Sequence, residues 1–242
     1  MWWVGHRIFG AFVPLRCVAC DSVSPGVLCA LCALSCEKFP QLTCAGCGSA
    51  RARNRSPSSW TPCRRCDAIK PGTLAGLHIS WSYSGAVAKA LLSAKLGNRI
   101  DKAAALAALA ALQPPPAAFL TDLEAVVPVA PSPRRLARIG FDATTEMAAV
   151  LARGLKIPLL TAALERKPGA SQTHVTAQQR RVQARDHFQP GRHAHRVENQ
   201  RILLVDDVRT TGATLAATAS ILNSLGAANC RSWILCGSTN SD

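Results

Sequence analysis

The sequence is short of acid. It has 14 Asp and Glu against 28 Lys and Arg in 242 residues, a formal charge of +14 at pH 7. So large an imbalance in a 25.6 kDa chain favours a polyanionic partner or a phosphorylated ligand, or else reflects an Arg- and Ala-rich proteome. It carries no information about fold. Long uncharged runs are missing too. No stretch of 18 or more apolar residues is free of a charge or a breaker, which excludes a membrane-spanning helix. The apolar stretch Met1 to Pro14 lacks the basic-first order and small-residue cleavage site of a signal peptide: Arg7 interrupts it, Pro14 ends it, and Cys17 follows. It reads as a short helix docked on the domain behind it, with a signal peptide as the alternative, and the expected location is cytoplasmic. What is present suffices for a core: 48% of residues are hydrophobic and 17% charged. The length suits one α/β core with a small appendage.

The cysteines are unevenly spread. Nine of the eleven fall before residue 67, and eight of those form four C-x-x-C pairs: Cys17/Cys20, Cys29/Cys32, Cys44/Cys47 and Cys63/Cys66. Two intervening residues let both thiolates reach one tetrahedral metal from a tight turn. Four pairs supply eight ligands, enough for up to two structural Zn²⁺ sites. The spacing from Cys44 to Cys66 matches a zinc ribbon, and the Cys17 to Cys32 set is tighter but workable. A disulfide framework would need an oxidising compartment, and a redox C-x-x-C normally stands alone. The spacing leaves open whether the pairs group in order or interleave. Cys36, Cys230 and Cys236 are left over and read as small buried hydrophobes. The loop 50–59 is polar and basic, and Arg64 and Arg65 sit inside the last pair. It is either a solvated loop or a contact for nucleic-acid phosphates. With Trp60 the one aromatic between the third and fourth pairs, a base-stacking platform is poorly supported.

Lys70-Pro71-Gly72 marks a domain boundary, giving an N-terminal helix and zinc module over 1–70 and a second domain over 71–242. In the latter, strands are expected at His78 to Tyr83, Leu123 to Val129, near Leu159 to Thr161, at Arg201 to Val205 and at Ser232 to Cys236. Helices are expected at Gly85 to Leu96, Ile100 to Leu112, Pro133 to about Leu155 with a break near Gly140, and Ala213 to Leu225. Residues 167–200 show no clean period and read as a lid or functional loop. Strand and helix in alternation imply an α/β fold with a mostly parallel sheet and helices on both faces.

The strongest chemical signal is Ile202 to Thr214, I-L-L-V-D-D-V-R-T-T-G-A-T. A buried strand ends on two adjacent carboxylates, Asp206 and Asp207. A loop of hydroxyl residues and one glycine then enters a helix. Such a loop turns its amides inward, and the helix terminus adds a positive end, which together make an anion pocket of phosphate size. Thr210, Thr211 and Thr214 can donate further hydrogen bonds, and Gly212 allows close backbone approach. Two carboxylates beside a phosphate make sense if they take hydrogen bonds from sugar hydroxyls or hold a divalent metal.

This segment resembles the 5-phosphoribosyl 1-diphosphate (PRPP) motif of the type I phosphoribosyltransferases over all thirteen residues. The resemblance implies that Asp206 and Asp207 contact the ribose hydroxyls as the catalytic pair, that Thr210, Thr211, Gly212, Ala213 and Thr214 hold the 5-phosphate, and that Val208 and Arg209 also belong to the PRPP site, with Mg²⁺ accompanying PRPP. Paired C-x-x-C modules before such a domain resemble the ComF family, also called GntX, of competence-associated proteins. The resemblance extends to Val13 to Cys17, Tyr83-Ser84-Gly85 with Lys95, Val127-Pro128-Val129, Pro133 to Leu136, Gly140-Phe141, and Ser171-Gln172 with Arg180-Arg181 and Phe188. Ile139, Asp142 and Ala143 depart from the family pattern. The expected function is Mg²⁺-assisted transfer of, or sensing through, the phosphoribosyl group, with Lys95, Arg134 and Arg135 as further PRPP-binding cations and Arg138, Arg180 and Arg181 as other candidates. The expected partners are PRPP and either single-stranded DNA or a DNA-uptake or helicase protein. The alternative is a non-catalytic zinc-ribbon protein that binds DNA or a partner and keeps a vestigial pocket.

Overall fold

The structure, a computed structural model, describes residues 16–40, 73–96, 99–167 and 187–238. Its centre is a four-stranded sheet built from β1 (Gly76–Ser82), β2 (Ala125–Pro128), β5 (Arg201–Arg209) and β6 (Asn229–Gly237), in the order β1-β6-β5-β2. Every neighbouring pair is parallel. Parallel strands need crossover connections, and these are helical: α2 (Gly85–Leu96), α3 (Ile100–Ala111), α4 (Ala117–Leu120), α5 (Pro133–Ile139), α6 (Ala143–Leu155) and α7 (Ala213–Ser224). Helix α1 (Ala30–Leu34) precedes the sheet, and β3 (Leu164–Arg166) pairs antiparallel with β4 (Phe188–Pro190) as a separate ribbon.

Side chains alternate across each strand, so the sheet carries two cores. On one face Val126, Leu203, Val205, Trp233 and Leu235 pack against Leu91 of α2, Leu106 and Leu109 of α3, and Met147 and Leu151 of α6. On the other, Ile79, Val127, Ile202, Leu204 and Ile234 pack against Leu215, Ala219 and Leu222 of α7 and against the ribbon's Leu164 and Phe188. This parity decides where each residue of the phosphate motif points.

Three expectations need correction. Leu159 makes a single parallel bridge to Val126 rather than a strand through Thr161, because the chain turns at Thr161 and Ala162; the next strand is β3. Residues 167–200 are not wholly irregular: β4 and a 3₁₀ turn at Ala194–Val197 fall within them, while 168–186 lie outside the described residues. Strand β5 does not stop at Val205, since β6 continues beside it as far as the Arg209–Gly237 pair. The break near Gly140 is present: Gly140 takes φ +83 and separates α5 from α6, which Asp142 then caps by accepting from Thr145 N at 3.0 Å.

The described part of the cysteine-rich segment shares the main core. Val18 is buried on the α2–α3–α6 side and Phe39 on the other. Residues 37–39 run antiparallel along the outer edge of β1, with Phe39 N donating to Ser80 O at 3.3 Å and Ser82 N to Glu37 O at 2.8 Å. The expected N-terminal helix and the 70/71 boundary lie outside the described residues. No helix among the described residues is long and apolar enough to cross a membrane.

The contact at Gly85 makes this packing testable. Gly85 has φ +49, and a Cβ there would lie 2.3 Å from the Ser35 carbonyl oxygen. Gly85→Ala is expected to cost about 2–4 kcal/mol in urea unfolding, from the left-handed backbone and from overpacking against a carbonyl. A loss well under 1 kcal/mol would show that Ser35 is not held against α2.

Candidate functional site

Strand β5 passes through both acids of the motif before the chain turns at Thr210 to Gly212, and consecutive residues therefore face opposite ways. Asp206 follows the parity of Ile202 and Leu204 and faces α7. Asp207 follows Leu203 and Val205 and faces α2 and α6. Only Asp206 of the two lines the small cleft that opens beside α7, together with Val208, Arg209, Thr210, Gly212, Ala213, Thr214, Leu215 and Ile234. Gly212 stands at the helix N-cap with φ +78, a backbone suited to glycine, and no side chain caps the helix there. Thr211 Oγ1 accepts weakly from Ala213 N at 3.4 Å. The first turn of a twelve-residue helix thus brings its amide dipoles to the cleft wall.

Behind the strand, Asp207 is buried and fully engaged. Lys95 Nζ lies 2.7 Å from Oδ1 and 2.6 Å from Oδ2, and Thr144 Oγ1 donates to Oδ2 at 2.9 Å. Burial works against the charge of Lys95, but Asp207 and, less strongly, Asp206 outweigh it and hold the ammonium above the ordinary lysine range. Arg135 Nη2 donates to the Lys95 carbonyl at 2.5 Å. Arg135 therefore braces the end of α2 instead of entering the cleft, and Arg134 is exposed. Arg209 is buried, and its Nη1 reaches Ser238 O at 3.4 Å. Arg180 and Arg181 lie outside the described residues.

Asp206 accepts from Asp207 N at 2.9 Å. Burial, reinforced by the neighbouring Asp207 charge, pushes its carboxyl up to about 8. Asp142 is also raised, by burial and by Asp207. Three carboxyls thus share one ammonium. On the cleft side, Arg166 of β3 feels the charge of Asp206, and its guanidinium carbon lies 5.6 Å from the centre of the Phe188 ring. The sequence reading missed Thr144, Asp142 and Arg166 as neighbours of the acids. Asp142 stood out only as a departure from the family pattern, and the other two gave no local signal.

The first four cysteines converge. The Sγ atoms of Cys17, Cys20, Cys29 and Cys32 all lie within 4.8 Å of one another, with Cys20 and Cys29 3.8 Å apart. A tetrahedral Zn²⁺ with bonds of about 2.3 Å needs sulfurs about 3.8 Å apart, so this thiol set could hold a zinc ion. The first two pairs therefore group together. Hydrogen bonding to Ser22 brings the Cys20 thiol down to about 6. Cys44, Cys47, Cys63 and Cys66 lie outside the described residues. Cys230 and Cys236 are buried in the sheet as expected, and Cys36 is half-buried, its Sγ donating to Cys32 O at 3.3 Å.

Residues 143–241 match the family described as phosphoribosyl transferase domain. With the parallel sheet and the strand-to-helix loop, this defines a type I phosphoribosyltransferase-like domain preceded by a cysteine cluster. The chain is 30% identical over 231 residues to the DNA utilization protein YhgH of Salmonella typhimurium, covering 93% of this chain and 97% of that protein. It is 29% identical over 213 residues to the protein of the same name from Escherichia coli O157:H7, covering 86% and 89%. Competence protein F of Haemophilus influenzae matches at 32% over 111 residues, 46% of this chain and 48% of that one. The chain belongs to the ComF family, also called GntX.

Two predictions test this geometry. Between about pH 4 and pH 8 the native chain keeps at Asp206 a proton that the unfolded chain has released, so this group's contribution to stability falls as pH rises through that window. Asp206→Asn is expected to raise Tm by about 2–4 °C or more at pH 8.5 and by progressively less toward pH 4.5. An unchanged pH profile would show that the carboxyl is not raised. For the metal set, Cys29→Ser is expected to lower bound zinc by about one equivalent per chain, read by a colorimetric chelator after denaturation. Unchanged zinc would contradict the grouping of the first two pairs.

Proposed function

We propose that the chain binds PRPP with Mg²⁺ and transfers its phosphoribosyl group, in a cytoplasmic role connected with the handling of DNA taken up by competent cells. The observation that supports this reading is the first turn of α7 beside Asp206, where the N-cap Gly212 leaves amides open to the cleft, an anion cradle with a hydroxyl acceptor at its rim. The amides after Val208 and the hydroxyls of Thr210 and Thr214 hold the 5-phosphate. Asp206 accepts from the ribose hydroxyls. Asp207 acts from behind, keeping the end of β5 in place through Lys95 and Thr144.

Mg²⁺ is a hard cation that takes carboxylate oxygens, and Asp206, the one carboxylate among the cleft's lining residues, is the residue that would hold it. The ion supplies neutralisation of charge on the diphosphate. The glycosidic bond at C1 breaks with its electron pair leaving on the diphosphate, and an acceptor nucleophile forms the new bond to C1. Arg166 of the ribbon, whose guanidinium interacts with the Asp206 charge, is the candidate cation for the developing negative charge.

A non-catalytic reading draws on the +14 charge and on the names of the relatives, DNA utilization and competence proteins. In it the protein holds single-stranded DNA or docks a DNA-uptake partner through its cysteine module. Binding to single-stranded DNA that weakens steeply with salt, without turnover of PRPP, favours that reading.

Calorimetry with PRPP and Mg²⁺ at pH 7 tests the main proposal. Binding is expected with release of a proton, seen as a dependence of the heat on buffer ionisation, because sugar hydroxyls and Mg²⁺ both favour the ionised form of Asp206. Asp206→Ala is expected to weaken binding at least about tenfold, the loss of a charge-assisted hydrogen bond. No binding at millimolar PRPP overturns the proposal.

A further inference from the structure

The cysteine knuckle grips α2 at both ends. At the start of the helix, Ser35, three residues after Cys32, accepts from Ala86 N at 3.2 Å and presses its carbonyl against Gly85. Ser35 is tied back to the knuckle, its N and Oγ both donating to Cys32 O at 3.1 and 2.9 Å. Near the other end of α2, Asp21 follows Cys20 in a left-handed turn with φ +61 closed by Asp21 N to Cys17 O at 2.9 Å. Its Oδ2 receives Lys102 Nζ at 2.6 Å, and the same ammonium donates to Ser93 Oγ of α2 at 2.7 Å. Lys102 is 4% exposed, with Asp21 as its carboxylate partner. Two residues beyond Ser93 stands Lys95, the residue that holds Asp207.

A buried ammonium cannot part from its carboxylate without leaving an uncompensated charge. Lys102 belongs to α3, so the turn carrying Asp21 is tied to α3 by the ion pair, and the hydrogen bond from the same ammonium to Ser93 passes that constraint on to α2, the helix carrying Lys95. A knuckle closed by metal keeps its turn, while one without metal has four thiols and short hydrogen bonds to define it.

We propose that the Cys17–Cys32 metal site is an effector site for the phosphate cleft: metal held there fixes α2 through Ser35 and through Asp21–Lys102–Ser93, and so fixes Lys95 behind Asp207, making ligand affinity at the cleft depend on metal occupancy. This rests on the reading that the cleft takes PRPP. Asp21 and Lys102 are positioning residues, which touch neither ligand. The coupling is reciprocal, so PRPP should tighten the hold on zinc by the factor by which zinc tightens the hold on PRPP.

The test uses the full chain, zinc-loaded or with its zinc withdrawn by a selective chelator in excess Mg²⁺, and Cys29→Ser as a metal-free first site. Amide hydrogen exchange is followed without PRPP, and PRPP affinity is measured separately. Zinc loss is expected to speed exchange at residues 91–96 and 206–214 while the far half of α6 stays protected, and to weaken PRPP binding about tenfold, within the usual range of allosteric coupling. Asp21→Asn should keep its zinc, bind PRPP as weakly as the zinc-free chain and no longer respond to chelation. Adding Lys102→Met, which removes the orphaned ammonium, should recover stability while PRPP affinity stays weak and independent of zinc; recovery of affinity along with stability would show that Asp21→Asn had merely weakened the fold and would overturn the proposal. Unchanged exchange at 91–96 and 206–214 on zinc loss overturns the proposal whatever PRPP does, and uniform exposure of the whole chain overturns it as well. Zinc-dependent exchange at those residues in a chain that never binds PRPP overturns the PRPP reading and leaves the linkage between the two sites standing.

Discussion

The pair of Lys95 and Asp207 is the interaction on which the site depends. It joins α2 to β5 across the face of the sheet, and Thr144 adds α6 to the same carboxylate. A buried ion pair is a weak source of net stability but a strong source of geometry, because removing one partner strands the other. Here the asymmetry is sharper still, since Asp142 and Asp206 also lie within reach of the one ammonium. The protein carries an excess of base over its whole length, yet the centre of its site is locally rich in acid. Such a centre is unfinished electrostatically. It is relieved by a proton, by a divalent cation, or by hydroxyl donors, and a sugar phosphate accompanied by metal brings the last two together.

The motif reads as two equivalent acids, but the folded strand makes them unlike. With β6 pairing beside it as far as Arg209, β5 keeps its alternation through both residues, and the acids leave the strand on opposite faces. One is an interior counter-ion. The other is a half-buried carboxyl at a cleft, held largely protonated near neutral pH by its surroundings. Strand geometry puts the two carboxylates on opposite faces of the sheet, and under the proposed function that placement makes Asp207 a positioning group and Asp206 a contact group.

Much of this was legible beforehand. The helix over Gly85–Leu96, the Gly140 break and the parallel character of the sheet, though not its strand order, follow from period-3.6 and buried-strand patterns with strong punctuation. The strand-to-helix anion loop follows from its hydroxyl and glycine residues. Less accessible was anything set by partners distant in sequence. The length of β5 depends on β6, some thirty residues on, and the assignment of Lys95 to Asp207 depends on helix packing. Asp21 and Lys102 are separated by 81 positions. One clue was available: Lys102 shares the buried face of α3 with Ala103, Leu106 and Leu109, an odd place for a lone ammonium. The grouping of the cysteine pairs likewise needed three-dimensional proximity, since the C-x-x-C spacing is the same under either pairing.

The stretch over residues 37–39 has a consequence for how copies of the protein behave toward each other. An exposed outer strand offers unpaired amides and carbonyls to any passing extended chain. At the Ser80–Ser82 end of β1 that margin is already taken by the protein's own backbone, laid in the opposite direction. Phe39 anchors it against Gly237 and Ile79, where a Cβ on Gly237 would come within 2.7 Å of the ring. Strand exchange at that end of β1 would first have to peel this latch away and expose a buried phenyl group, which guards that part of the edge against fibril-like self-association.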